Sequence, residues 1–195
     1  MTAPRALDIL MTGLLDNAIA VWKREKMVTT ISWAVGDKAS AFAQPIDQEG
    51  WNVPYETRAG LHALVAACVD ARVIGRIDES WTRMRDADET PLLHGELQEM
   101  ADTDPDVKTA LCVQAYDLLT GNSYLHMAHL DLCEDGSDRW VRTYADEPEG
   151  RIIGGSQLTA RAIPIITDGV DLTPDVVEQF LNALHWTMVV AGLES

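Results

Sequence analysis

The sequence predicts an α+β fold: an antiparallel sheet of about five or six strands, with three main helices packed mostly on one face. Three observations carry this. Amphipathic helical stripes stand near both ends of the chain and once between them. A nearly continuous succession of β-rich runs fills residues 73–144. The resulting order, α–β(β)–α–β–β–β–β–α, separates most of the strands from the helices.

The first helix is expected over about 4–26, where Leu7, Leu10, Met11, Leu14, Leu15, Ala18, Ile19 and Trp22 recur at spacings of three and four. Lys23, Arg24 and Lys26 close it with cations, which the dipole favours at a helix C-terminus. Residues 28–35 are rich in β-branched side chains and read as a strand, returned after Gly36-Asp37 by a second strand over 38–44. A loop is expected over 45–54. The second helix follows over about 55–71, with Leu61, Leu64, Val65, Cys68 and Val69 as its stripe and Arg58 and His62 near the edge.

Residues 73–83 read as a strand in which Glu79 falls between Ile77 and Trp81 on one side. A carboxylate on an apolar side needs a partner or a raised pKa. An acidic excursion follows at about 84–108, with a short helix expected over 91–100 behind Thr90 and Pro91. The stretch 109–135 is a hairpin around Thr120-Gly121-Asn122-Ser123. Placing Leu119 opposite Tyr124 puts Asp117 opposite His126 on an otherwise apolar side. A further strand is expected over 139–144, and an extended segment over 151–167, which Pro164 confines to an edge or makes irregular. The last helix has the best start signals, with Thr173 as N-cap, Pro174 at the first position and Asp175 in the first turn. Its stripe runs through Val176, Val177, Phe180, Leu181, Leu184, Met188 and Val189, with Gly192 as its end.

The expected organisation is a single domain over 1–195. No apolar run is long enough to span a bilayer, and the spaced apolar residues of the N-terminus, interrupted by Asp8 and Asp16, do not read as a signal peptide. Three cysteines without a CxxC disfavour a disulfide framework or zinc knuckle and suit a reducing, cytoplasmic setting. The net charge of −16 is unevenly spread. Residues 1–77 hold eight acids and eight bases, whereas 168–195 hold five acids and no base. This disfavours nucleic acid and anionic membranes as partners, because both require Lys and Arg. It suits solubility or a basic protein partner.

The candidate chemical residues are Asp117, His126 and Glu79. A carboxylate opposite an imidazole can fix its tautomer, as acid–base catalysis requires, and with Glu79 on a neighbouring strand the three could bind a metal. The His126/His129 spacing would share a face on a helix but not on a strand. No HExxH, GxSxG, Walker loop or GxGxxG occurs, and no cofactor is expected.

Ile77-Asp78-Glu79-Ser80-Trp81, then Asp104-Pro105-Asp106, then the hairpin, resemble a family of small uncharacterised bacterial and phage proteins. In that family a helix leads into a strand ending in a Ser-Glu-Ala-Trp-like string, followed by an acidic Pro-containing loop and a two-strand meander. The resemblance covers 55–145, and the Glu-Ser order here departs from the pattern. It implies a fold neighbourhood, without an activity, and is compatible with a phage or actinobacterial origin.

These readings favour a non-enzymatic acidic interaction protein: an accessory, virion-associated or inhibitor-type chain with a basic protein partner and scope for self-association. The alternative is an enzyme or binder of a metal or small ligand, using Asp117, His126 and Glu79. A third reading is a structural subunit whose C-terminal helix forms a dimer seam.

Overall fold

The computed structural model describes residues 4–83, 100, 103–133, 137–144 and 173–192. Among them lie four helices, α1 (Arg5–Glu25), α2 (Gln48–Trp51), α3 (Tyr55–Ala67) and α4 (Pro174–Ala183). Seven strands accompany them: β1 (Ile31–Gly36), β2 (Ala39–Pro45), β3 (Ala71–Arg83), β4 (Val107–Asp117), β5 (Ser123–Leu132), β6 (Asp138–Tyr144) and β7 (Trp186–Gly192). The strands form one sheet in the order β6-β5-β4-β3-β1-β2-β7. The helix expected over 91–100 and the segment 151–167 lie, Met100 apart, outside the described residues.

The α+β class and the antiparallel sheet are as the sequence predicts. The counts are corrected: seven strands rather than five or six, and four described helices rather than three. One addition is α2, a single turn inside the expected loop. It is too short to carry a periodic signal, and it forms because the Asp47 carboxylate accepts hydrogen bonds from the backbone N–H groups of Glu49 and Gly50. The other is β7, which replaces the second half of the expected last helix. That helix starts as predicted, with the Thr173 hydroxyl accepting from the Val176 N–H, but it stops at Ala183. His185 then turns the chain with φ of 55°, and Trp186–Gly192 pairs with β2 from Pro45 to Ala39. The run Trp-Thr-Met-Val-Val has strong β preference, and pairing with β2 overrides its helical spacing.

The hairpin register is also corrected. The Asp117 N–H donates to the Asn122 carbonyl at 2.9 Å, so the turn falls at 118–121 and Leu119 lies within it. The opposed Asp117–His126 pair of the expected register is therefore not formed. The displacement is an even number of residues, so side chains keep their predicted sides. Leu111, Val113, Ala115, Tyr124 and Ala128 are buried, together with Asp117 and His126.

Two compact units organise the chain. The first comprises 1–28, 78–113 and 125–151; the second comprises 29–77, 114–124 and 152–195. In the first, α1 buries Leu7, Met11, Leu15, Ala18, Ile19 and Trp22, the stripe its periodicity marks out. It ends at Lys26, whose left-handed backbone returns an N–H to the Trp22 carbonyl. Trp22 meets Trp140 of β6 edge-on at 5.1 Å, and the Lys26 ammonium lies 4.6 Å from the Trp22 ring.

In the second unit, Leu61, Leu64 and Val65 of α3 and Val177 and Leu181 of α4 share one core with Ala34, Ala41, Ile74 and Trp186. Trp33 is wholly buried beside Gly75, its cross-strand neighbour. A Cβ at Gly75 would lie 2.2 Å from the Trp33 ring and 2.2 Å from the Gln114 carbonyl oxygen, so only glycine allows that approach.

Candidate functional site

Each of the three sequence-predicted residues is held by its own neighbours. Glu79 sits in the first unit on β3. One carboxylate oxygen accepts from the Trp22 indole N–H at 3.2 Å and the other from the Val28 backbone N–H at 2.8 Å. The partner that a carboxylate on this side of β3 requires is thus the end of α1 and the residues just after it.

Asp117 sits in the second unit at the end of β4. One of its oxygens accepts from the N–H groups of Leu119 and Thr120, at 2.9 and 3.2 Å. Burial raises its pKa. The two backbone N–H groups, the Thr120 side chain and the charge of Arg72 outweigh that and hold it below the usual carboxylate range.

His126 belongs to β5 in the first unit and is buried. Its Nε2 lies 3.2 Å from a carboxylate oxygen of Asp8, and its Nδ1 lies 3.5 Å from the Thr12 hydroxyl. Asp8 and Thr12 are four residues apart on α1, so one helix face presents both to the imidazole. His129 instead turns towards Asp131, at 3.7 Å, and the two histidines serve different neighbours, as strand alternation requires. Among the described residues, no three His, Cys, Asp or Glu side chains gather closely enough to hold a metal ion, and Glu79, Asp117 and His126 form no such group.

Two features of the second unit were not legible as sites. The first is a joint around His185, in the turn between α4 and β7. Its Nδ1 lies 2.9 Å from Asp47 and its Nε2 lies 3.1 Å from Glu49, so one imidazole bridges two carboxylates. The hydrogen bond to Asp47 comes first in raising the His185 pKa, followed by the charges of Asp47 and Glu49. The same bond lowers that of Asp47. Backbone and indole bonds complete the joint: Ile46 N–H donates to the His185 carbonyl at 2.8 Å, and the Trp186 indole donates to the Gly50 carbonyl at 2.8 Å. A Cβ at Gly50 would stand 2.5 Å from the His185 carbonyl oxygen.

The second feature is an open groove of about 740 Å³ whose lining includes Cys68 just beyond α3, Val177, Glu178 and Leu181 of α4, and Met188 and Val190 of β7. Burial pushes the Cys68 thiol up, so it is a weak source of thiolate. The groove thus mixes apolar side chains with polar surface, including Glu178, Asn182 and Thr187, and its Cys68 is not an activated nucleophile. It is lined in part by β7, the end strand of the sheet among the described residues, where Val189 and Val190 are 64% and 49% exposed.

Comparison of the chain with family models, with curated proteins and with solved structures found no match. Among the described residues, no helix is long and apolar enough to cross a membrane.

Proposed function

We propose that this chain is a non-enzymatic, acidic interaction protein that holds a basic protein partner, with the β7 end of the second unit as its contact surface. The observation that carries this reading is β7 itself. Among the described residues it is the terminal strand of the sheet, and it contains no charged residue and leaves two valines exposed. Such an edge is a ready template for another chain, and proteins usually blunt it with charge, proline or a covering element. The acids of residues 168–195, with no base among them, favour a basic partner.

The test is partner capture from the source cell's extract by the immobilised full chain, at low and moderate salt, followed by identification and purification of the captured protein. Reconstituted binding to that purified protein, weakened by salt, supports the reading. Absence of any partner, or association indifferent to salt, defeats it.

A second reading, an enzyme, draws on one observation: Thr12, His126 and Asp8 bring a hydroxyl, an imidazole and a carboxylate together. In that role His126 would take the hydroxyl proton of Thr12, and Asp8 would steady the imidazolium. Hydrolysis of an activated ester, abolished in both Thr12→Val and His126→Ala, supports it. Turnover indifferent to these changes assigns the three residues to docking α1 on β5.

A further inference from the structure

We infer that the free edge of β7 and the adjoining groove form a peptide-docking site: it takes an extended, basic-and-apolar segment of a partner protein as an added antiparallel strand. This rests on the interaction reading above and names its mode and ligand class.

The backbone supplies the first part of the argument. β2 occupies one edge of β7 along its whole length, Ala39 to Gly192 through Pro45 to Trp186. Among the described residues, the other edge has no neighbouring strand in the sheet order. The strand contains no proline, so every residue has an N–H, and a segment laid along the free edge would find the alternating donors and acceptors of an antiparallel ladder.

The side chains supply the second part. Strand alternation puts Trp186, Met188 and Val190 on one side of β7, and all three line the groove, with Thr187 of the other side at its border. A segment added in register would place every second side chain on that same side. Apolar residues at those positions would meet Met188, Val190 and the Leu181 side of α4. Apolar spacing of two is therefore the sequence signature expected of the ligand.

Charge selects among occupants. Glu178 lines the groove and is exposed, and Asp175 stands one turn earlier on α4. Asp47 and Glu49 lie at the joint next to Trp186, where His185 bridges them. A second copy seated on β7 would bring the same acids against themselves. A segment with Lys or Arg between its apolar residues would meet opposite charge instead.

The experiment uses the full chain and two capped synthetic peptides, Lys-Val-Lys-Val-Lys-Val and its Glu-for-Lys counterpart, with binding read by isothermal calorimetry and by amide hydrogen exchange of β7. The expected result is slowed exchange along β7 with the Lys peptide and at least about tenfold weaker binding of the Glu peptide. Val190→Lys, at a half-exposed position, should weaken the Lys peptide by at least about tenfold with an unchanged melting temperature. Glu178→Gln should weaken it less while leaving its apolar contacts intact.

Equal binding of both peptides, or full affinity in Val190→Lys, overturns the inference. So does β7 protection without peptide, whether in a dimer by sedimentation (a second copy) or in a monomer (the chain itself). The broader reading is judged separately, with the purified partner. If that partner binds Val190→Lys as tightly as the unaltered chain, the interaction reading stands and the β7 site falls. If no partner exists at all, the interaction reading itself falls.

Discussion

The two end strands of the sheet are opposites in chemistry. β6 reads Asp-Arg-Trp-Val-Arg-Thr-Tyr, and its charges are engaged: Asp138 with Lys26, Arg139 with Asp131, and Arg142 with Asp16. β7 reads Trp-Thr-Met-Val-Val-Ala-Gly and has no charge to engage. In a chain in which 24% of residues are charged, β7 is an end strand, among the described residues, that carries none of the charge with which proteins usually guard an edge. The contrast teaches that the acidity of this protein is not spread as a uniform solubilising coat. The charges of one end strand are taken up in ion pairs, and the other carries none, with Asp175 and Glu178 on the helix before it.

Four predictions sharpen or break that contrast. The largest effect is expected at the anchored root of β7. Trp186 is buried and its indole N–H reaches Gly50, so Trp186→Ala should cost about 3–5 kcal/mol in a denaturant titration. A loss below about 1 kcal/mol would mean that β7 is not anchored there.

Next, Glu79→Ala in the first unit should cost about 2 kcal/mol, because it leaves the Val28 N–H and the Trp22 indole without their carboxylate. Glu79→Gln should recover part of the loss, since the amide oxygen can still accept one of the two bonds.

Acid should weaken the second unit by a similar amount. His62 is fully buried, and burial first, then the charges of Arg76 and Arg58, push its pKa down to about 3. Its folded value lies below its unfolded value near 6.5, so the neutral form's stability is present above that pH and is lost as pH falls. Between pH 7.5 and 5 the loss should reach about 2 kcal/mol, and it should vanish in His62→Leu. The His185 joint acts with the opposite sign. Its raised pKa makes its contribution full below the unfolded value near 6.5 and lost as pH rises through the folded value, until in stronger acid Asp47, whose pKa the same bond lowers, takes up its proton and the bridge is lost. Between pH 7.5 and 5, His185→Ala should therefore lose more stability than the unaltered chain.

The smallest effect belongs to the guarded edge. The Arg142–Asp16 pair is half-exposed, so Arg142→Ala should cost only about 0.5 kcal/mol. A much larger loss would make the ion pairs of β6 a source of stability rather than a guard.

Much of this architecture is visible in local pattern. The six buried residues of α1 follow the helical stripe, and the Thr173-Pro174-Asp175 start of α4 is where capping rules put it. Strand alternation also assigns Asp117 and His126 to a buried side correctly. Partners are what pattern does not reveal. Asp8 reaches His126, and Trp22 reaches Glu79, across large separations in sequence that no local period encodes. β7 escapes because Met188 and Val189 continue the helical spacing of Leu181 and Leu184 and also suit a strand, and the pairing with β2 decides between them. The His185 joint had no advance signal, since its two carboxylates belong to a helix of one turn.

The edge-on meeting of Trp22 and Trp140 has a practical consequence. Two indoles this close and nearly perpendicular couple their excited states, and coupled indoles produce a paired positive and negative band in ultraviolet circular dichroism. One ring rides on the last turn of α1 and the other on β6, so that couplet is a built-in optical gauge of helix docking. During unfolding it would report the release of α1 from β6 independently of the backbone signal of the sheet, and Trp140→Phe would erase it while keeping an aromatic ring against Trp22.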